Sequence, residues 1–228
     1  MDTAARSLGG LTRWTCGVLA AYVLLTAATG LAAWHRHQVL LAPHSPVQPD
    51  GSEWRPLLDA DMWFGNLHGW WNGASIATLL LFMLWMTRMR DIAERLWPEG
   101  QRRHRAWLFF GWVVPVADVF VPKMIVNDLW AAAEPGPRRR RGHLLLTFWW
   151  LSVLAAGSVG EDALTALKHA HTASQTSHAL QRVVLSDGLY ICAAALSISV
   201  VRKLSGRLKH ALQAAAAQPA DLVGSGTV

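Results

Sequence analysis

From Trp14 to Trp34 the chain runs WTCGVLAAYVLLTAATGLAAW without a charged side chain. Twenty-one residues of helix rise about 31 Å at 1.5 Å per residue, which matches a hydrocarbon core of about 30 Å. In such a core each unbonded peptide group costs several kcal/mol, so the run has to be helical if it crosses. A secretory leader is the competing reading, because Arg6 and Arg13 precede the run and Leu31-Ala32-Ala33 resembles a cleavage site. Signal cores are shorter, roughly 7 to 15 residues, so an uncleaved span is expected.

Three further apolar runs follow. One is interrupted at first by Asn66, His68 and Asn72 and then clean from Gly73 to Met86; the others are His143 to Val159 and Val183 to Val201. We therefore expect an all-α membrane bundle of four transmembrane helices, about 14–34, 67–86, 143–159 and 183–201. Residues 1–210 would form one membrane domain and 211–228 a disordered tail, since the sequence past His210 turns to alanine and then to glycine and small polar residues. The loop His35 to Asp61 carries Pro43, Pro46, Pro49 and Pro56 and should be extended. Gly160 to Arg182 reads as polar and partly helical. Charged residues make up only 16% of the chain, against roughly 25% in soluble domains, so a water-facing shell would be hard to build. The 13 tryptophans suit the two membrane interfaces.

The segment Ala106 to Val121 is apolar but contains Gly111, Pro115 and Asp118. Pro115 has no N–H to bond the Gly111 carbonyl and crowds it, which predicts a break. After Pro122 a stripe of Ile125, Val126, Leu129, Trp130 and Ala133, opposite Lys123 and Asn127, predicts a short amphipathic helix on the membrane surface. Charge then fixes the topology. Seventeen of the 21 Lys and Arg lie before the first span, between the second and third, or after the fourth, and only Arg36, Arg55, Lys168 and Arg182 lie elsewhere. The positive-inside rule puts both termini in the cytoplasm, with the plasma membrane as the host. It also makes 106–133 re-entrant or interfacial, because a fifth crossing would export Arg138 to Arg141. The net charge of +6 is thus expected to meet anionic headgroups, not nucleic acid.

The stretch Phe82 to Pro135 resembles an actinobacterial membrane-protein family, domain of unknown function 4328. The resemblance rests on LLLFMLWMTRMRDIAERL, a basic linker, GWVVPVADVFVPKMIVNDLWAAAEP, and the paired Trp149-Trp150. Its recurring elements are matched by Trp112, Pro115, Pro122, Asp128 and Trp130. The resemblance implies a multi-span membrane protein and assigns no activity or catalytic residue.

Ionisable groups at membrane depth are functional candidates by default. Asp118 in the broken segment and Asp187 in the fourth span are the two here. The plainer reading has Asp187 near the outer headgroups beside Arg182, and Asp118 capping or pairing locally. His35, His37, His44, His68, His169, His171 and His178 fall on the outer side with Asp59 and Asp61, yet their spacing supports no metal site, and HExxH is absent. Cys16 and Cys192 read as buried thiols, Arg138 to Arg141 as a topological anchor, and Trp70-Trp71 and Trp149-Trp150 as interface anchors. No GxSxG, P-loop or GxGxxG is present. The expectation is a protein without catalytic residues, cofactor or metal, acting through lipid or a membrane-protein partner. The alternative is a small transporter or channel subunit built around 106–133.

Overall fold

A computed structural model describes residues 2–42, 54–134 and 143–217, the side chains of the first few excepted. All regular structure among them is helical: α1 (Asp2–Leu41), α2 (Arg55–Leu96), a 3-10 turn at Pro98–Gly100, α3 (Trp107–Phe110), α4 (Ala117–Ala132), α5 (Leu144–Lys168) and α6 (Ala173–Ala217). The all-α expectation is met. The helices outrun the expected spans: α1 continues to Leu41 and α2 begins at Arg55, where an extended loop was expected, and α6 continues seven residues into the expected tail, to Ala217. Pro43, Pro46, Pro49, His44, the run Arg138 to Arg141 and the tail beyond Ala217 lie outside the described residues.

Three helices, not four, are long and apolar enough to cross a membrane: Gly9–Leu41, Leu144–Lys168 and Ala173–Ala217. The second expected span falls short. Its clean stretch, Gly73 to Met86, is 14 residues bounded by Asn72 and Arg88, about 21 Å of helix against a core of about 30 Å.

Contacts divide the chain into two compact units, and the divisions fall inside α1, α2, α5 and α6. The first unit holds residues 1–16, 81–147 and 199–228. Ser205 ties three of its helices together. The Thr12 hydroxyl and the Trp85 indole N–H each donate to Ser205 Oγ at 3.0 Å, and that hydroxyl donates to Met89 Sδ at 3.7 Å. The second unit holds residues 17–80 and 148–198. Its core gathers Ala32, Ala33, Phe64, Ala163, Leu180 and Val183. Alanines at 32, 33 and 163 let the helix backbones approach closely, the usual device where lipid supplies no hydrophobic drive.

The break before α4 forms where Pro115 demands it. Every amide from Trp107 to Val114 donates to a carbonyl three or four residues back, at 2.9–3.2 Å, and Pro115 has no amide to leave unpaired. Val116 then takes φ 70° and ψ −42°, a backbone region that β-branched residues avoid. Its side chain is 73% exposed, so it offers little packing in return. Val116→Gly should therefore leave the protein at least as stable as the parent, by up to about 1 kcal/mol, in thermal melts in detergent. A clear loss of stability would mean that the turn is not strained.

Where a surface-lying amphipathic helix was expected, α4 is packed into its unit. Ile125, Val126, Leu129 and Trp130 are buried, and so are Asp128, Ala131 and Ala132 around them. Exposed apolar side chains lie instead on the break, at Phe109, Phe110, Val113 and Val116, and on the first turn of α4, at Phe120.

Candidate functional site

The acidic-x-Trp element of α4 sits in a charged clamp within the first unit. Asp128 is fully buried and receives both arms of Arg102, from Nη2 at 3.0 Å and from Nε at 3.4 Å. This two-point fork is geometry that lysine cannot supply. Two residues on, the Trp130 ring lies 4.4 Å beneath the Arg207 guanidinium, and Arg207 also pairs with Glu134 at 3.0 Å. The His143 ring stands 4.6 Å from Trp130. Asp128 and Trp130 are thus brought together, whereas Trp112 meets Phe82 edge-on and Pro122 is buried inside α4. Pro115 is exposed at the break.

The linker after α2 is fastened by arginines. Arg90, nearly buried, donates to Glu94 at 2.8 Å and to the Arg103 carbonyl at 2.8 Å. Arg105 pairs with Glu94 and, at 3.0 Å, with Asp91. The Arg105 hydrogen bonds, with help from Arg90, hold the Glu94 carboxyl below its ordinary value.

The two acidic candidates differ. Asp118 is exposed on the first turn of α4. Asp187 belongs to the second unit and is 7% exposed, so it does not lie open beside Arg182 as the plainer reading had it. Arg182 pairs with Asp162 instead, at 2.8 Å. Asp187 Oδ2 accepts from the Thr29 hydroxyl at 3.3 Å, and it reaches α1 because residue 30 is glycine: a Cβ there would meet the carboxylate oxygen at 3.3 Å.

Asp187 lines a cavity of about 130 Å³ where three helix faces converge. From α2 come Phe64, His68 and Trp71, spaced i, i+4, i+7; from α6 come Val183, Ser186, Asp187 and Tyr190, spaced i, i+3, i+4, i+7; α5 supplies Gly160 and Glu161. Phe64, His68 and Trp71 stack at 5.7 and 5.5 Å between centroids, and Tyr190 meets Trp71 edge-on at 5.1 Å. The Trp71 indole is itself fixed, donating to Thr26 Oγ1 at 3.0 Å. Gly160 leaves the room that the Tyr190 hydroxyl occupies, 2.9 Å from where a Cβ would stand. Reading His68, Trp71, Asn72, Ser186 and Tyr190 residue by residue missed this cavity. The signal was the shared helical face of polar and aromatic side chains in two separate runs.

The described histidines among those expected outside do not gather. His37 is buried against Ser177, ring nitrogen to hydroxyl at 3.1 Å, while His35, His169, His171 and His178 are exposed. Among the described residues no group of three or more His, Cys, Asp or Glu is placed to hold a metal ion. Asp61 pairs with Arg36. Cys16 is half-buried and Cys192 is exposed, against the expectation that both are buried. On a lipid-facing helix an apolar thiol needs no protein cover.

Three helices long and apolar enough to cross a bilayer point to an α-helical membrane protein. The chain belongs to the family described as Domain of unknown function (DUF4328), whose sequence profile matches residues 56–206, well beyond the stretch that carried the resemblance. No curated protein and no solved structure matches it.

Proposed function

We propose that this is a plasma-membrane protein that crosses the bilayer four times with both ends cytoplasmic, and that it acts through contacts with lipid and with another membrane protein, not by catalysis. In this reading α2 is the fourth crossing, its polar positions His68 and Asn72 turned to the cavity, where bundle partners make up for a short apolar stretch. The observation that carries the topology is how the fold sorts charge. Of the basic residues whose side chains are described, 12 belong to the unit that also contains both termini, and only Arg36, Arg55, Lys168 and Arg182 belong to the other. Along the sequence, the same 12 flank the proposed cytoplasmic ends of the crossings, as the positive-inside rule asks.

Support for an interaction role comes from the broken segment. The amides from Trp107 to Val114 are bonded internally and Phe109, Phe110, Val113, Val116 and Phe120 are exposed, which suits entry of this stretch into the headgroup and acyl region. A transporter built around 106–133 would want Asp118 enclosed, and Asp118 is exposed. Spin labels at positions 110, 113 and 120, in full-length protein carrying Cys16→Ser and Cys192→Ser in liposomes, should relax faster with oxygen than with a water-soluble nickel chelate. Nickel-dominated relaxation at all three positions would overturn the embedded segment.

A further inference from the structure

We propose that the cavity in the second unit is a binding site for a small organic ammonium ion, with Asp187 as its counter-charge and Trp71 and Tyr190 as its aromatic walls. Asp187 is more than nine-tenths buried and lines the cavity, and its one hydrogen-bond donor among the described residues is the Thr29 hydroxyl, at 3.3 Å. A neutral hydroxyl at that distance is weak compensation for a carboxylate taken out of water. None of the residues lining the cavity is Lys or Arg. The second carboxylate there, Glu161, is exposed and marks the mouth. The cavity therefore places one carboxyl group at its depth and another at its entrance.

The walls choose the kind of cation. A hydrated metal ion wants several hard oxygen ligands converging on it, and among the described residues no group of three or more His, Cys, Asp or Glu is so placed, whereas Phe64, His68, Trp71 and Tyr190 give the cavity walls of rings. Indole and phenol faces attract alkylammonium groups, which shed water more readily than metal ions and gain more from desolvated aromatic contact. The volume of about 130 Å³ limits the ligand to a few heavy atoms around the nitrogen. Gly30 and Gly160 show that the site is built, because each leaves the space that lets Asp187 and Tyr190 take their positions.

The test uses the full-length chain in detergent micelles, with isothermal titration of methylammonium, tetramethylammonium and choline chlorides at constant ionic strength. At least one should bind saturably at one site per chain, and sodium chloride at the same strength should not displace it. The neutral isostere of choline, 3,3-dimethylbutan-1-ol, should bind at least tenfold more weakly; this comparison needs no variant. Asp187→Asn should weaken the cation at least tenfold with helicity and melting unchanged, and Trp71→Leu should weaken it several-fold. Absence of saturable binding by all three cations, equal binding of the neutral isostere, or full binding by a folded Asp187→Asn protein would overturn the proposal. Loss of binding in all variants together with loss of helicity would leave the decision to the isostere comparison on the parent protein, which alone supports or overturns it.

Discussion

Replacing Trp130 by alanine is expected to cost about 3–5 kcal/mol of stability, the range for removing a fully buried large aromatic side chain. Trp130 is 1% exposed, so its whole volume would become a cavity inside the first unit. The contact with Arg207 adds about 0.5–1 kcal/mol that disappears with the ring. Arg207 keeps Glu134 as a partner, so no charge is left unmatched by the change. Thermal unfolding in detergent, followed by circular dichroism, should show the loss, with Trp130→Phe intermediate because it retains most of the packing and a ring face for Arg207. Trp70, 74% exposed, is the control: Trp70→Ala should move stability by less than about 0.5 kcal/mol in micelles. Equal effects at 130 and 70 would contradict the assignment of Trp130 to the core.

Arg102→Ala is expected to have the second largest effect, about 2–4 kcal/mol. The asymmetry of the pair explains why. Asp128 is completely buried while Arg102 is 44% exposed, so deleting the arginine takes the guanidinium from a carboxylate that water cannot reach. Arg102→Lys should recover only part of the loss, since a single ammonium cannot reproduce the two-point fork. The double change Arg102→Ala with Asp128→Asn should be less harmful than Arg102→Ala alone, because the asparagine is neutral and nearly the same shape. If the double variant were the least stable of the set, loss of the guanidinium from a buried carboxylate would not be the source of the effect.

Asp128 and Trp130 belong to the acidic-x-Trp element that carried the family resemblance, and their importance was legible before their partners were. Asp128 and Trp130 stood out as a pattern, but nothing local says that Arg102, 26 residues earlier, reaches Asp128 or that Arg207 covers Trp130. Those are tertiary contacts between separate elements. The apolar runs located α1, α5 and α6, because membrane depth forces uninterrupted hydrophobicity there. They overstated α2, whose clean stretch is short. They also understated helix length: Ala60 and Phe64 keep helical spacing in a region that its prolines made look like loop. The break at Pro115 was predictable from covalent chemistry, since proline has no N–H. That α4 buries its stripe was not, because an amphipathic pattern suits a membrane surface and a protein core equally well.

Asp187 teaches a related lesson. Five residues from Arg182 on one helix, it reads as lying beside that arginine near the outer headgroups, yet Arg182 turns to Asp162 and Asp187 turns to Thr29. Gly30 was the missing sign, a residue whose small size matters only once the opposite helix is in place.

Cysteine labelling in intact cells tests the four-span topology most directly. In a background of Cys16→Ser and Cys192→Ser, single cysteines at His104, Arg139 and His169 would be exposed to a membrane-impermeant maleimide. Four crossings with a re-entrant 106–133 segment predict reaction at 169 in intact cells, and at 104 and 139 only after lysis. Reaction at 139 but not 104 in intact cells would mean that the broken segment crosses. Reaction at 104 in intact cells would mean that α2 does not cross, and would contradict the four-span account.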